Sequence, residues 1–363
     1  MSSLYIHLPF CKQKCNYCDF VSFAGKEELI DEYVEALIKE IQNSAFPTPH
    51  SAFSTIYFGG GTPTLLEPKH FNKLFNALVT HYALRVTSTE ISIEANPGTA
   101  DLNKLKALRS LGINRLSIGV QSFNDKHLKT LGRIHNGAEA IKFYKDARAA
   151  GFDNINLDLM FALPGQTLDE WQSDLQTAIN LKPNHLSTYN LHLEEGTPLW
   201  RSYNSPVPSP QPPIPSEDLE LAMYEHTIET LTAAGYKHYE ISNFAKPGCE
   251  CQHNINYWQN GNYLGLGAGA HSHFNGQRWA NPNCIEAYID TRYSLPVTRY
   301  DSQKETLFMG LRLLDGISVD NFTGFEKEVK ELMNDGLLVQ ENNNYKLTRQ
   351  GLYLGNLVFE KFV

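Results

Sequence analysis

The sequence predicts an α/β protein: a partial (β/α)6 barrel, then a C-terminal α+β extension, then a winged-helix-like module. Three observations predict it. Strand-like and helix-like patterns alternate through the first two-thirds of the 363 residues. The alternation stops after Leu193, and a proline-rich run follows. From about Tyr300, helical patterns flank a hairpin pattern. Strands alternating with helices imply parallel pairing through right-handed crossovers. Six such units are too few to close an eight-stranded barrel, so one side is expected to stay open, with chemistry at the C-terminal strand ends. The expected boundaries are 1–195, 196–299 and 300–363.

The barrel reading goes element by element. Leu4–Leu8 reads as a strand, and a cysteine loop follows it. Glu27–Asn43 is helical, with Leu29, Tyr33, Leu37 and Ile41 on one face. Ser54–Phe58 is a strand running into Gly59-Gly60-Gly61, and Pro68–His81 is a helix. Glu90–Glu94 is a strand ending at the turn Asn96-Pro97-Gly98. Asp101–Leu111 is a helix with Gly112 past its end, and Arg115–Val120 a strand. Gly137–Ala150 is a helix, Ile155–Met160 a strand, Leu168–Leu181 a helix and His185–Leu193 a strand.

Beyond the barrel, Tyr203–Ser216 carries Pro206, Pro208, Pro210, Pro212, Pro213 and Pro215, an extended surface segment. Glu217–Ala234 reads as a helix and Lys237–Ser242 as a strand. Cys249–Gly276 is dense in Cys, His, Tyr, Asn and Gly, and reads as a functional loop. Helices over Lys304–Arg312, Phe325–Asp335 and Thr348–Phe362 surround a hairpin turning at Asn342-Asn343-Asn344.

Bulk properties exclude several classes. A net charge of −9 argues against nucleic acid as a main partner, as do Glu326, Glu328, Glu331 and Asp335 in the last module. No apolar run approaches the ~18–20 residues of a membrane span. The N-terminus lacks the basic and apolar regions of a signal peptide. Six clustered cysteines suit metal binding in a reducing compartment, so the expected location is the cytoplasm.

The chemistry starts at Cys11, Cys15 and Cys18, spaced Cys-x3-Cys-x2-Cys on one short loop. A cubane cluster has four irons, so three thiolates leave one open to a small chelating molecule. Structural zinc wants a fourth ligand and usually paired knuckles. A ferredoxin run uses Cys-x2-Cys-x2-Cys with a fourth cysteine. The Gly59-Gly60-Gly61-Thr62 run either leaves amides free for a ligand or makes a tight turn. Glu94 and Gln121 end strands. Asp158 sits within an apolar strand and needs a partner; Arg133 is either that partner or a surface residue. Cys249, Cys251 and His253 can ligate zinc or hold a labile cluster, without an evident fourth ligand, or His253 is an ordinary loop histidine. His271 and His273 either contact substrate or are structural.

The cysteine spacing resembles the signature of radical S-adenosylmethionine (SAM) proteins. The motifs in this order resemble the oxygen-independent coproporphyrinogen III oxidases and their relatives, the HemW heme chaperones, over nearly the whole chain. The resemblance implies a radical SAM barrel and one 4Fe-4S cluster on Cys11, Cys15 and Cys18. It implies SAM chelated at the open iron, which in that superfamily is cleaved to a 5′-deoxyadenosyl radical and here is either cleaved or only bound. Tyr5 and Tyr17 match aromatic positions beside the cluster that contact SAM. Gly60, Gly61, Thr62, Glu94, Gln121, Arg133 and Asp158 match SAM-binding positions, some of which serve a second SAM in the oxidases. The oxidases carry a further cysteine where this chain has Phe20. His253-Asn254-Ile255-Asn256-Tyr257-Trp258 resembles the His-Asn-x-x-Tyr-Trp heme motif of the chaperones. There His253 would be an axial ligand and Tyr257 and Trp258 would shape an exposed heme site. The implied function is a heme chaperone carrying a 4Fe-4S cluster and SAM; the alternative is radical decarboxylation of coproporphyrinogen III. Implied partners are an electron donor and heme-acceptor proteins, membrane-bound respiratory enzymes among the candidates.

Overall fold

A computed structural model describes residues 2–44, 53–205, 211–290, 298–299 and 302–363. Pro206, Pro208, Pro210 and Tyr300 lie outside the described residues. Six parallel strands form the barrel wall: β1 (Ser2–Leu8), β2 (Thr55–Gly60), β3 (Glu90–Ala95), β4 (Arg115–Gln121), β5 (Asn154–Phe161) and β6 (His185–Asn190). They pair in chain order, as successive crossovers require.

The connecting helices are α1 (Ile30–Asn43), α2 (Pro68–Tyr82), α3 (Leu102–Ser110), α4 (Asp125–Leu131), α5 (Gly137–Ala149) and α6 (Leu168–Leu181). Local signals set their starts. Asn136 with Glu139, and Thr167 with Glu170, form capping boxes at α5 and α6. Pro68 opens α2, where its missing N–H costs nothing.

Each wall strand divides its side chains by the two-residue period of a strand. Leu4, Ile6, Leu8, Ile56, Phe58, Ile91 and Ile93 join the apolar core with Tyr33, Leu37, Phe71 and Leu74 of the helices. The alternate positions carry Ser3, Tyr5, Thr55, Tyr57, Glu94, Ser117, Asn156 and Asp158, which bond to one another or to residues inside the barrel. A polar interior inside an apolar jacket follows directly from that alternation.

The sheet continues past both barrel edges, to twelve strands among the described residues. After α7 (Pro198–Tyr203) and α8 (Glu217–Ala233) come β7 (Lys237–Glu240) and β8 (Asn243–Ala245), and β8 pairs antiparallel with β6. The stretch expected to be a functional loop, Cys249–Gly276, is instead ordered structure. It holds α9 (Gln252–Trp258), β9 (Asn262–Leu266) and β10 (His271–Phe274). β9 pairs parallel with β1, and β10 returns antiparallel. Gly265 has no room for a Cβ, which would meet the His271 carbonyl at 2.0 Å, so this glycine serves strand packing.

The last module has its own core of Leu307, Leu311, Phe322, Leu332, Leu347 and Phe362. Its three-stranded sheet is ordered Ile317–Ser318, Asn344–Leu347, Leu338–Glu341. Asn342 and Asn343, with φ of 49° and 62°, turn the hairpin. The helix expected over Thr348–Phe362 is broken at Leu354 into Arg349–Tyr353 and Gly355–Phe359.

Candidate functional site

The C-terminal ends of the wall strands enclose a cavity of about 430 Å³. Cys11, Cys15 and Cys18 border it, and so do Tyr17, Gly60, Gly61, Thr62, Glu94, Gln121, Arg133 and Asp158. The barrel thus brings together all but one of the residues expected there. The exception is Tyr5. Its hydroxyl donates to His7 Nδ1 at 2.8 Å, and its ring stacks on Tyr57 at 6.3 Å, inside the wall.

The cysteine loop is fastened to the end of α4. Asn16 N–H donates to the Leu131 carbonyl (3.0 Å), Asn16 Nδ2 to Thr130 O (2.9 Å) and Gln13 Nε2 to Gly132 O (3.1 Å). Arg133 Nη1 lies 3.4 Å from Cys15 Sγ, and Thr62 Oγ1 donates to Cys11 Sγ at 3.7 Å. Burial pushes the Cys11 and Cys18 thiols up, so loading a metal there releases protons. Soft thiolates with no carboxylate among them suit an iron–sulfur cluster. Among the described residues, no three His, Cys, Asp or Glu groups close on one metal ion. A cubane places each thiolate on a different iron, so three spread thiols fit it.

Two alternatives left open by the sequence are decided here. The glycine run does not offer free amides. Gly60 N–H donates to Glu94 Oε2 (3.1 Å), Gly61 N–H to Leu8 O (2.9 Å) and Thr62 N–H to Phe10 O (2.7 Å). Glycine is needed for close approach: a Cβ on Gly60, at φ +113°, would meet the His7 ring at 2.6 Å. Nor is Arg133 the partner of Asp158. Asp158 accepts from Ser117 Oγ (3.0 Å) and Asn156 Nδ2 (2.8 Å), while Arg133 Nη2 donates to Asn96 Oδ1 and Gly119 O, each at 2.5 Å.

Glu94 accepts from Tyr57 Oη (3.0 Å) and Gly60 N. Burial, and then the Asp158 charge, raise its carboxyl to about 7. Gln121 holds φ +66° at the strand end, where a bulge turns the chain. Asn96, Tyr57, Ser117 and Tyr189 also line the cavity and were missed in the sequence. Asn96 was legible: it lies two residues beyond Glu94, on the same face.

At the opposite end α9 closes the barrel floor. Its first amides, Gln252 N–H and His253 N–H, donate to Glu90 at 3.2 and 3.1 Å. His253 is 1% exposed. Its Nδ1 bonds Thr55 Oγ1 at 2.8 Å and its Nε2 bonds Tyr257 Oη at 3.0 Å. Burial and the Arg115 charge lower it to about 3, so it is neutral. The exposed heme loop expected at His253 is therefore a buried plug with both ring nitrogens engaged. Tyr257 completes that plug, and Trp258 faces Arg312 of the last module, 4.5 Å from its ring. The zinc alternative fails on direction. Cys249 Sγ accepts from Asn184 Nδ2 (3.8 Å), Cys251 Sγ points to Glu90 (3.9 Å) and His253 points inward. His273 is buried against Gly261 O, whereas His271 is exposed.

Fold and mouth define a radical SAM protein: residues 5–178 match the Radical SAM superfamily and residues 297–354 the HemN C-terminal domain. The chain is 38% identical to the heme chaperone HemW of Bacillus subtilis (strain 168), across 100% of this chain and 99% of that one. It is 38% identical to the heme chaperone HemW of Escherichia coli (strain K12), across 99% and 98%. It belongs to the HemW family. The solved coproporphyrinogen III oxidase (HemN) of Escherichia coli shares the fold, with a TM-score of 0.85 and 24% identity over 99% of this chain and 89% of that one. No helix among the described residues is long and apolar enough to cross a membrane.

Proposed function

We propose that this chain is a heme carrier that holds a 4Fe-4S cluster and SAM and hands heme to acceptor proteins. The observation that carries the cofactor part is the fastened loop of three thiols opening into a cavity walled by carboxylates and Arg133. Cys11, Cys15 and Cys18 would hold the cluster. Tyr17, Thr62, Glu94, Gln121, Arg133 and Asp158 would hold SAM. When bound, the cluster supplies a reducing electron. Glu94 and Asp158 offer acceptors for ribose hydroxyls and the sulfonium side of the ligand, and Arg133 holds the cysteine loop against Asn96. The heme part is supported by the family, whose curated members are named heme chaperones.

Phe20 stands where the resembling oxidases have a cysteine, so no coproporphyrinogen III decarboxylation is expected. The test is anaerobic reconstitution, hemin binding, and transfer to an apo-acceptor. About four irons and four sulfides per chain are expected, lost on Cys11, Cys15 and Cys18→Ala together. Robust conversion of coproporphyrinogen III with SAM and a reductant would overturn the chaperone reading.

A further inference from the structure

A heme carrier needs an iron ligand with a free lone pair, reachable from solvent, beside apolar cover. The floor does not offer it, since both His253 ring nitrogens are engaged. Among the other buried histidines, His127, His135 and His273 each keep one unpartnered ring nitrogen, but they are sealed from solvent at 5% exposure or less. Others have both nitrogens engaged. His7 bonds Tyr5 and Val21 O, and His185 bonds Asn156 and Tyr239.

Among the described residues, His192 and His271 are exposed and make no side-chain hydrogen bond. Only His192 of the two borders the mouth cavity. It follows β6 by two residues, on a segment pinned by Leu191 N–H donating to Phe161 O at 3.0 Å. The same cavity is bordered by Phe20, 70% exposed, and Tyr189, 39% exposed, with Met160 and Leu191 behind. Together Phe20, Tyr189, Met160 and Leu191 give one side of the cavity an apolar rim beside an unpaired imidazole, a combination that suits a flat apolar ligand.

We propose that heme sits across the barrel mouth, its iron on a ring nitrogen of His192 and its apolar faces against Phe20 and Tyr189. This rests on the reading of the chain as a heme carrier. The bond is simple coordination: a neutral imidazole nitrogen gives its lone pair to iron, and no electron is transferred. Placement at the mouth has two consequences. Heme stays accessible to an acceptor, as release requires. It also lies over the cavity proposed for SAM, so the two ligands influence one another's binding.

The test is a hemin titration of the full chain, followed by absorbance, on wild type, His192→Ala, His271→Ala and Phe20→Ala. Wild type is expected to bind with a defined Soret band. His192→Ala should bind about tenfold or more weakly, a loss of about 1.4 kcal/mol, with a shifted band. His271→Ala should change neither, and Phe20→Ala should weaken binding without moving the band. SAM added to wild type should shift hemin affinity. If wild type fails to bind hemin, the carrier reading falls and this site with it. If wild type binds and His192→Ala keeps both affinity and band, the carrier reading stands and the mouth site is overturned. A band that moves only in His271→Ala overturns it equally.

Discussion

The mouth and the floor of this barrel are built from the same chemical vocabulary. Each has cysteine, histidine or arginine, tyrosine and a glutamate close together. At the mouth, groups converge on a space: three thiols, four carboxylates and a guanidinium border one cavity. At the floor, groups converge on each other. Glu90 takes the first amides of α9, and His253 is bonded on both sides by Thr55 and Tyr257. The difference teaches that the residue content of a motif does not separate a ligand site from a plug. Whether the side chains border an open cavity or fill the space between one another does.

The largest contrast should appear in paired substitutions. Cys15→Ala is expected to lower iron from about four per chain to near none, while the apo fold loses little, since three bonds through Asn16 and Gln13 still fasten the loop when the Arg133 contact to the thiol is lost. His253→Ala should do the reverse. Iron content should hold, but removing a buried ring that joins Thr55 to Tyr257 should cost about 3 kcal/mol. Iron analysis beside a urea melt reads both. A His253→Ala protein as stable as wild type would erase the distinction between mouth and floor.

The same contrast marks what the sequence made legible. The six wall strands and their helices were readable because period-two and helical alternation is strong there; Leu168–Leu181 falls on the observed helix end to end. The mouth was readable because cysteine spacing is local and strand ends announce themselves. The floor was not. Between Cys249 and Gly276 the apolar periodicity is weak, because β9 and α9 pack polar side chains inward against the polar barrel lining. The composition of that stretch resembles a loop, and only its pairing of β9 with β1, over 250 residues away in sequence for Ser2 and Asn262, gives it order. Asp158 shows the converse: its strand looked apolar, yet Asn156, Ser117 and the interior face explain it.

Acid and base should distinguish the two ends next. Folded His253 titrates near 3 against 6.5 for an ordinary histidine, because of burial and then Arg115. The unfolded chain therefore binds the extra proton between these values, and stability is lost as pH falls from 6.5 toward 3. Glu94 has the opposite sign. Its folded carboxyl keeps a proton up to about 7, against 4.5 for an ordinary glutamate. The folded state holds more protons in that window, so stability is lost as pH rises through it. Apo melts from pH 4 to 8 should show both slopes. Glu94→Gln should flatten the upper one and His253→Gln the lower. Unaltered profiles in both variants would mean that neither group carries the dependence.

The smallest expected effect concerns how the floor is tied to the last module. The Arg312 guanidinium lies 4.5 Å from the Trp258 ring and 5.8 Å from that of Phe359. A cation over an indole at a half-buried site contributes about 1 kcal/mol. Trp258 is the last residue of α9, so this contact anchors the plug from outside, while His253 anchors it from within. If that is its role, Arg312→Ala and Trp258→Leu should each destabilise the chain, and the double variant should cost less than their sum by about 1 kcal/mol. Neither should move iron content or the hemin Soret band, because neither residue borders the mouth. Arg312→Lys should recover part of the loss, since a lysine keeps the charge but not the flat guanidinium stack. Additive single losses in the cycle would show that the two side chains do not interact. A changed Soret band in Trp258→Leu would place Trp258 against heme after all, and return the floor to contention as a ligand site.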